Sequence, residues 1–147
     1  MQLGKYPQMP PMTDQEIEDF LNQAPIARLC SHNPDGTIHI APLVFTYNNG
    51  EIVLGTQKMS RKVRNIQRNS AVTVLIDTQA PPHKAVLIYG RAELDEQAVI
   101  AKRVAIFEKY RTREEAEALT NQLASHYEPI IIRVKPEQIV SFDYAKG

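Results

Sequence analysis

The chain is short of cysteine, of net charge and of long apolar runs, and each shortage removes a class of protein. Cys30 is the only cysteine, so no intrachain disulfide can form. A cytoplasmic setting is the expectation that follows. Lys and Arg total 17 and Asp and Glu total 17, which excludes a generally basic nucleic-acid or membrane-surface protein. The longest apolar runs, Val72 to Ile76 and Ala85 to Tyr89, fall far below the roughly 20 residues that span a bilayer. The opening MQLGKYPQMPPM has no apolar core and is rich in proline, so it reads as an extended arm over residues 1–12 rather than a signal peptide. No repeat, low-complexity segment or linker follows, and residues 13–147 read as a single domain.

What is present is an apolar content of 43%, enough for a packed core at this length. Thr13-Asp14-Gln15-Glu16 has the form of a capping box, and Ile17, Phe20 and Leu21 place an apolar stripe behind it. A helix from Thr13 to about Gln23 is predicted. Strands are predicted over Ile26 to Ser31, Thr37 to Tyr47, Glu51 to Thr56, Ala71 to Asp77, Lys84 to Leu94 and Pro129 to Phe142, the last interrupted near Pro136. Asn33-Pro34-Asp35-Gly36 and Asn48-Asn49-Gly50 are turn signals between them. Helices are predicted over about Asp95–Tyr110 and Glu114–Ser125, and a short one after Ser60 buries Val63 and Ile66. The strand through Ile38, Ile40 and Val44 is apolar on its other face too, at Ala41, Leu43 and Phe45, so both faces need cover. Pro42 within it belongs at a bulge or an edge. About six strands joined by hairpins suit a small closed antiparallel barrel, mainly β with flanking helices.

Against the neutral average, one segment stands out. Lys58, Arg61, Lys62, Arg64 and Arg68 follow one another with no acid between Gly55 and Ile76. Thr56-x-x-x-Ser60-Arg61-Lys62 runs from a strand end into a helix start, where free N–H groups and partial positive charge favour an anion. From spacing alone two readings stand, a phosphate seat and a solvated basic helix. The segment has no aromatic side chain on which a base could stack. Cys30 and His32 share a strand face, but a buried structural cysteine beside a surface histidine explains them. His39 and His83 lack ligand spacing, His126 and Glu128 are too few for a metal, and Glu114, Glu115 and Glu117 read as a solvated face.

The run Thr56-x-x-x-Ser60-Arg61-Lys62 after a hairpin strand resembles the phosphate-binding motif of the pyridoxamine 5'-phosphate oxidase-like split-barrel flavoproteins. Ile38 to Phe45 is similar to that family's flavin-bearing strand. Lys62-x-x-Asn65-Ile66-x-Arg68-Asn69 before Val72-Thr73-Val74-Leu75 resembles its helix and next strand, and Gly90-Arg91-Ala92-Glu93-Leu94 its fifth-strand ending. The resemblance implies a six-stranded antiparallel split β-barrel that binds FMN as a homodimer, with flavin at the subunit interface. It places Arg61 and Lys62 on the FMN phosphate, Ser60 as a donor to it, Thr56 near the ribityl chain or ring, and Ala41, Pro42, Leu43 and Val44 along the isoalloxazine. It implies an oxidoreductase acting on a small-molecule substrate by hydride transfer at flavin N5.

Three other readings are kept. Relatives in the same superfamily bind deazaflavin (coenzyme F420), whose longer anionic tail would draw on Lys58, Arg64 and Arg68. A flavin-binding stress protein without turnover is the second, and a flavin-free module whose basic helix meets an acidic partner is the third. A true pyridoxamine-phosphate oxidase is not expected. That enzyme has a lysine where this strand ends in Phe45, and no Arg or His follows Arg133 here. Phe45 is expected to wall the substrate side instead.

Overall fold

The computed structural model describes residues 10–146; most of the N-terminal arm, residues 1–9, lies outside the described residues. Six strands close an antiparallel barrel: β1 (Ile26–His32), β2 (Ile38–Asn48), β3 (Glu51–Gln57), β4 (Ala71–Asp77), β5 (Lys84–Asp95) and β6 (Pro129–Asp143). Around the barrel they run β1-β2-β3-β6-β5-β4, and β4 returns to β1. Four helices flank it: α1 (Asp14–Gln23), α2 (Arg61–Arg68), α3 (Val99–Phe107) and α4 (Arg113–Ala124). Among the described residues no helix is long and apolar enough to cross a membrane.

Alternation of apolar side chains fills the barrel. Leu29, Phe45, Leu54, Ile76, Ile88 and Ile132, one from each strand, are fully buried and belong to one cluster. Helix α1 closes one side with Phe20 and Leu21, and its start is secured as the sequence predicts: the Thr13 hydroxyl accepts from the Glu16 N–H while the Glu16 carboxylate accepts from the Thr13 N–H. Asn49 and Gly50, both at positive φ, turn β2 into β3.

Two elements depart from the sequence expectation. Helix α3 begins only at Val99, because the chain before it is spent otherwise: Asp95 still pairs with Ile131 in the β5–β6 ladder, and Ala98 is left-handed at φ 49. Strand β6 is not broken at Pro136. It absorbs the proline through a bulge, where the register against β5 slips between Tyr89 and Gly90. Gly90 is what allows that bulge. A Cβ there would lie 2.2 Å from the Lys135 carbonyl oxygen, a backbone atom that cannot swing away. Gly90→Ala is therefore expected to lose about 1–3 kcal/mol or more of unfolding free energy, the usual range for overpacking. Urea denaturation measures it, and an unchanged midpoint would show that the two strands separate freely.

One pairing controls the rest of the molecule. The β2–β3 ladder runs only from Asn48↔Glu51 to Phe45↔Leu54. Beyond it β2 continues to Ile38 paired with β1 alone, and β3 continues to Gln57 paired with β6 alone. The two strands thus diverge into a seam. Pro42, which has no N–H to give, lies in the stretch of β2 with a single neighbour, where a missing donor costs least.

Candidate functional site

A cavity of about 340 Å³ opens over this seam. Pro42, Leu43 and Val44 line it from β2, and Gly55, Thr56 and Gln57 from β3. Side chains alternate along β2: Leu43 and Phe45 join the barrel interior, while Val44 packs outside against α3 and its neighbours Val53, Ile106 and Phe107. Helix α3 covers only that end of the outer face. Further along, Ile38 and Ile40 stand 48% and 59% exposed.

Of the residues singled out from the sequence, the structure brings Pro42, Leu43, Val44, Thr56 and Lys62 onto one cavity. Ala41, Ser60 and Arg61 are adjacent in the chain but not part of its lining. Ser60 sits at the N-cap of α2 in an extended conformation, yet its hydroxyl makes no capping bond to the helix. Its Oγ is buried without a hydrogen-bond partner, and so is Nδ1 of His39. The first helical bond of α2 is Arg64 N–H to the Ser60 carbonyl, 3.2 Å, which leaves the N–H groups of the first turn uncommitted to the helix.

Lys62 is half-buried and, among the described residues, no carboxylate stands within ion-pair distance of it. Burial pushes its ammonium below the ordinary lysine range. His39 is held below the usual imidazole value by burial first, then by the charges of Lys62 and Arg61, which places all three in one electropositive locality. Asn65 anchors this helix from beneath: it is buried, and its side-chain N–H donates to Ser31 Oγ at 3.1 Å and Asn33 Oδ1 at 3.0 Å. An anion is what these groups lack. An oxyanion at the helix start would satisfy an orphaned hydroxyl, free N–H groups and an unpaired cation together.

The remaining cations of the segment are largely committed. Lys58 Nζ pairs with Glu96 at 2.6 Å and Glu128 at 3.5 Å. Arg68 donates to the His32 carbonyl at 2.6 Å and to Asn65 Oδ1 at 3.1 Å. Arg64 is exposed. The expectation that Phe45 walls a substrate is overturned. Its side chain alternates inward and is fully buried in the core. Lys109 closes over it, 3.6 Å from the ring centroid and donating to the carbonyls of Leu21 and Phe45 at 2.9 and 3.2 Å. Burial pushes that lysine down to about 8. Cys30 is half-buried rather than buried, and burial raises its thiol above the ordinary range, which leaves less thiolate.

The far wall of the cavity holds residues the sequence reading missed: Arg103, Phe107 and Tyr127. Arg103 is 5% exposed and lies four residues after Val99 and three before Ile106, on the stripe of α3 that faces the barrel. A charged residue at a core position of an amphipathic helix was the available signal.

Fold and site together define a split β-barrel whose seam is lined by backbone edges and unpaired positive charge. The sequence profile of the pyridoxamine 5'-phosphate oxidase family matches residues 13–142, and the chain belongs to that family. Among solved structures, the conserved hypothetical protein Rv2991 of Mycobacterium tuberculosis is 25% identical, with a TM-score of 0.84 over 98% of this chain and 92% of that one. An F420 reductase is 20% identical, TM-score 0.66, over 83% of this chain and 94% of that one. A FAD-binding protein from Mesorhizobium loti is 18% identical, TM-score 0.64, over 90% and 94%. No curated protein matches significantly.

Proposed function

We propose that this chain is an FMN-binding oxidoreductase, with the cofactor seated in the seam between β2 and β3. The observation that carries the reading is the orphaned Ser60 hydroxyl beside the unpaired, half-buried Lys62 at the start of α2. Ser60, Arg61 and Lys62 would hold the phosphate, Thr56 the ribityl region, and Ala41 to Val44 the ring. The free backbone edges of a seam suit a flat ring with amide edges, and the outward side chains of Pro42 and Val44 suit its faces. Bound FMN supplies hydride chemistry at N5, and this chain supplies binding, orientation and a water-poor bed. The commitment of Lys58 and Arg68 to other partners leaves Arg64 for a longer anionic tail, which supports FMN over deazaflavin. The absorbance spectrum of the purified protein, followed by titration of the stripped protein with FMN, riboflavin and deazaflavin, tests the assignment. A colourless protein with no affinity for FMN would sink it, and preference for deazaflavin would replace it.

A homodimer belongs to the same proposal. Ile38, Ile40 and Pro42 alternate along β2 onto one uncovered outer face, and Met59 next to α2 is 75% exposed. A two-fold partner laid on this face would complete the strand's cover and close the cavity. Ile40→Glu is expected to turn a dimer at micromolar concentration into a monomer and to weaken FMN at least tenfold. Light scattering reads the first and fluorescence titration the second. A dimeric mass with native affinity would place the interface elsewhere.

A further inference from the structure

We propose that Arg103 is an anion-receiving residue, a second positive seat in the cavity that takes an oxyanion, phosphate or carboxylate, of the molecule bound there. The residue is 5% exposed. Among the described residues no carboxylate pairs with it, although Arg133 on the same barrel gathers three. Among the described residues its hydrogen-bond partner is the Tyr127 hydroxyl, to which Nη1 donates at 2.7 Å. The rings of Phe107 and Tyr127 lie 5.5 Å from it. Ring faces hold a guanidinium in place but do not neutralise it, and a buried charge without a counter-charge is among the costlier things a fold retains. Arg103 lines the cavity, and so does Lys62 from α2.

The barrel wall is shaped to this side chain. A Cβ on Gly55 would come within 2.9 Å of Arg103 Nε and 3.3 Å of its Cγ and Cδ. With φ in the ordinary range, Gly55 has no conformational need to be glycine; the space it leaves is occupied by the guanidinium stem. Two elements distant in sequence, β3 and α3, are thus matched to hold one unpaired cation at the seam. Of the three α2-start residues, Lys62 shares the cavity with Arg103, whereas Ser60 and Arg61 do not line it. The proposal deepens the flavin reading and rests on it only for the identity of the occupant: the oxyanion comes either from the cofactor tail or from an acidic substrate bound against the cofactor.

The test uses the full chain at constant ionic strength. Inorganic phosphate, pyrophosphate and succinate are titrated into the stripped and the FMN-loaded protein, followed by melting temperature and by flavin absorbance. Native protein, Arg103→Lys and Arg103→Met are compared. The expected result is that at least one anion stabilises the native protein, that Arg103→Lys keeps part of the effect, and that Arg103→Met abolishes it while melting at the same temperature or higher, since an uncompensated charge has gone. The source follows from the flavins. If Arg103→Met weakens FMN tenfold or more and riboflavin little, the cofactor phosphate is the occupant; if both flavins bind as before and only succinate or phosphate is lost from the loaded protein, it is the substrate. Absence of anion stabilisation in the native protein overturns the proposal even where FMN binds normally. So does a lower melting temperature for Arg103→Met, which would make the residue a structural clamp, or unchanged anion binding in that variant. Failure of the flavin reading shows separately, as no FMN binding by native protein.

Discussion

Arg61→Ala/Lys62→Ala is expected to bind FMN roughly 10²- to 10⁴-fold more weakly than the native chain, two charge-assisted contacts at about 1.5–3 kcal/mol each. Riboflavin, which has no phosphate, should change by no more than about threefold if the ring bed is intact. The two residues do not share the effect equally. Arg61 is exposed, and its attraction is weakened by water and salt. Lys62 is half-buried and unpaired, so Lys62→Ala alone should lose the larger part. The pH dependence has a sign. Burial holds Lys62 below the ordinary lysine range, so the free protein loses that charge earlier as pH rises, and FMN affinity should fall on the alkaline side before an ordinary lysine would titrate. Equal losses for FMN and riboflavin would show that the pair supports the fold and not a phosphate.

Arg133→Ala is expected to destabilise the barrel by about 2–4 kcal/mol, less than the roughly 3–5 of a fully buried pair. From β6, Arg133 donates through Nη1 to both oxygens of Glu51 on β3 at 3.1 and 3.2 Å. Through Nη2 it reaches Glu93 at 2.9 Å and through Nε Asp95 at 3.0 Å, both on β5. One guanidinium therefore ties three neighbouring strands. Its removal leaves Asp95 with Lys102 at 2.6 Å and Glu93 with Lys135 at 2.9 Å, whereas Glu51 keeps no described counter-charge. That is why the loss is large but short of the upper range. The Asp95 carboxyl is held below its ordinary value, by Lys102 foremost. Its contribution is present above the ordinary aspartate range and is lost as pH falls through the lowered value. Urea midpoints at neutral pH measure the variant. Glu51→Met added to Arg133→Met should recover most of the loss, and a variant as stable as native would show that the network is ornamental.

Much of this architecture was legible because local chemistry and global fold agree. Thr13 and Glu16 cap α1 as read, Asn49-Gly50 turns the hairpin, and period-two alternation puts Leu29, Val74 and Ile76 inside. The boundaries of α3 were not legible. Helical periodicity runs through Asp95, but a ladder partner across the sheet and an ion pair to Lys102 outweigh it, and no local signal reports either. Pro42 to Val44 entered the reading only through the family resemblance, since alone they pass as ordinary core, and the fold sets them on one cavity with Lys62. Arg103 and Tyr127 reach the same cavity from far along the chain, so only the folded barrel joins them. Phe45 was misplaced by carrying over the oxidase's substrate-side lysine position, although alternation along the strand already put it on the face of Leu43, inside the barrel.

The seam between β2 and β3 also has a mechanical side. A barrel derives its stiffness from being a continuous hoop, and this hoop is fastened over four residue pairs, Phe45↔Leu54 to Asn48↔Glu51, and ungirded beyond them. Whatever fills the opening bridges two edges that have no other brace, and so acts as a strut. Loading and emptying the cavity should therefore change the amide exchange of residues 38–44 and 55–57 more than that of β5, which is paired on both sides from Ala85 to Arg91. In this design the guest is part of the frame.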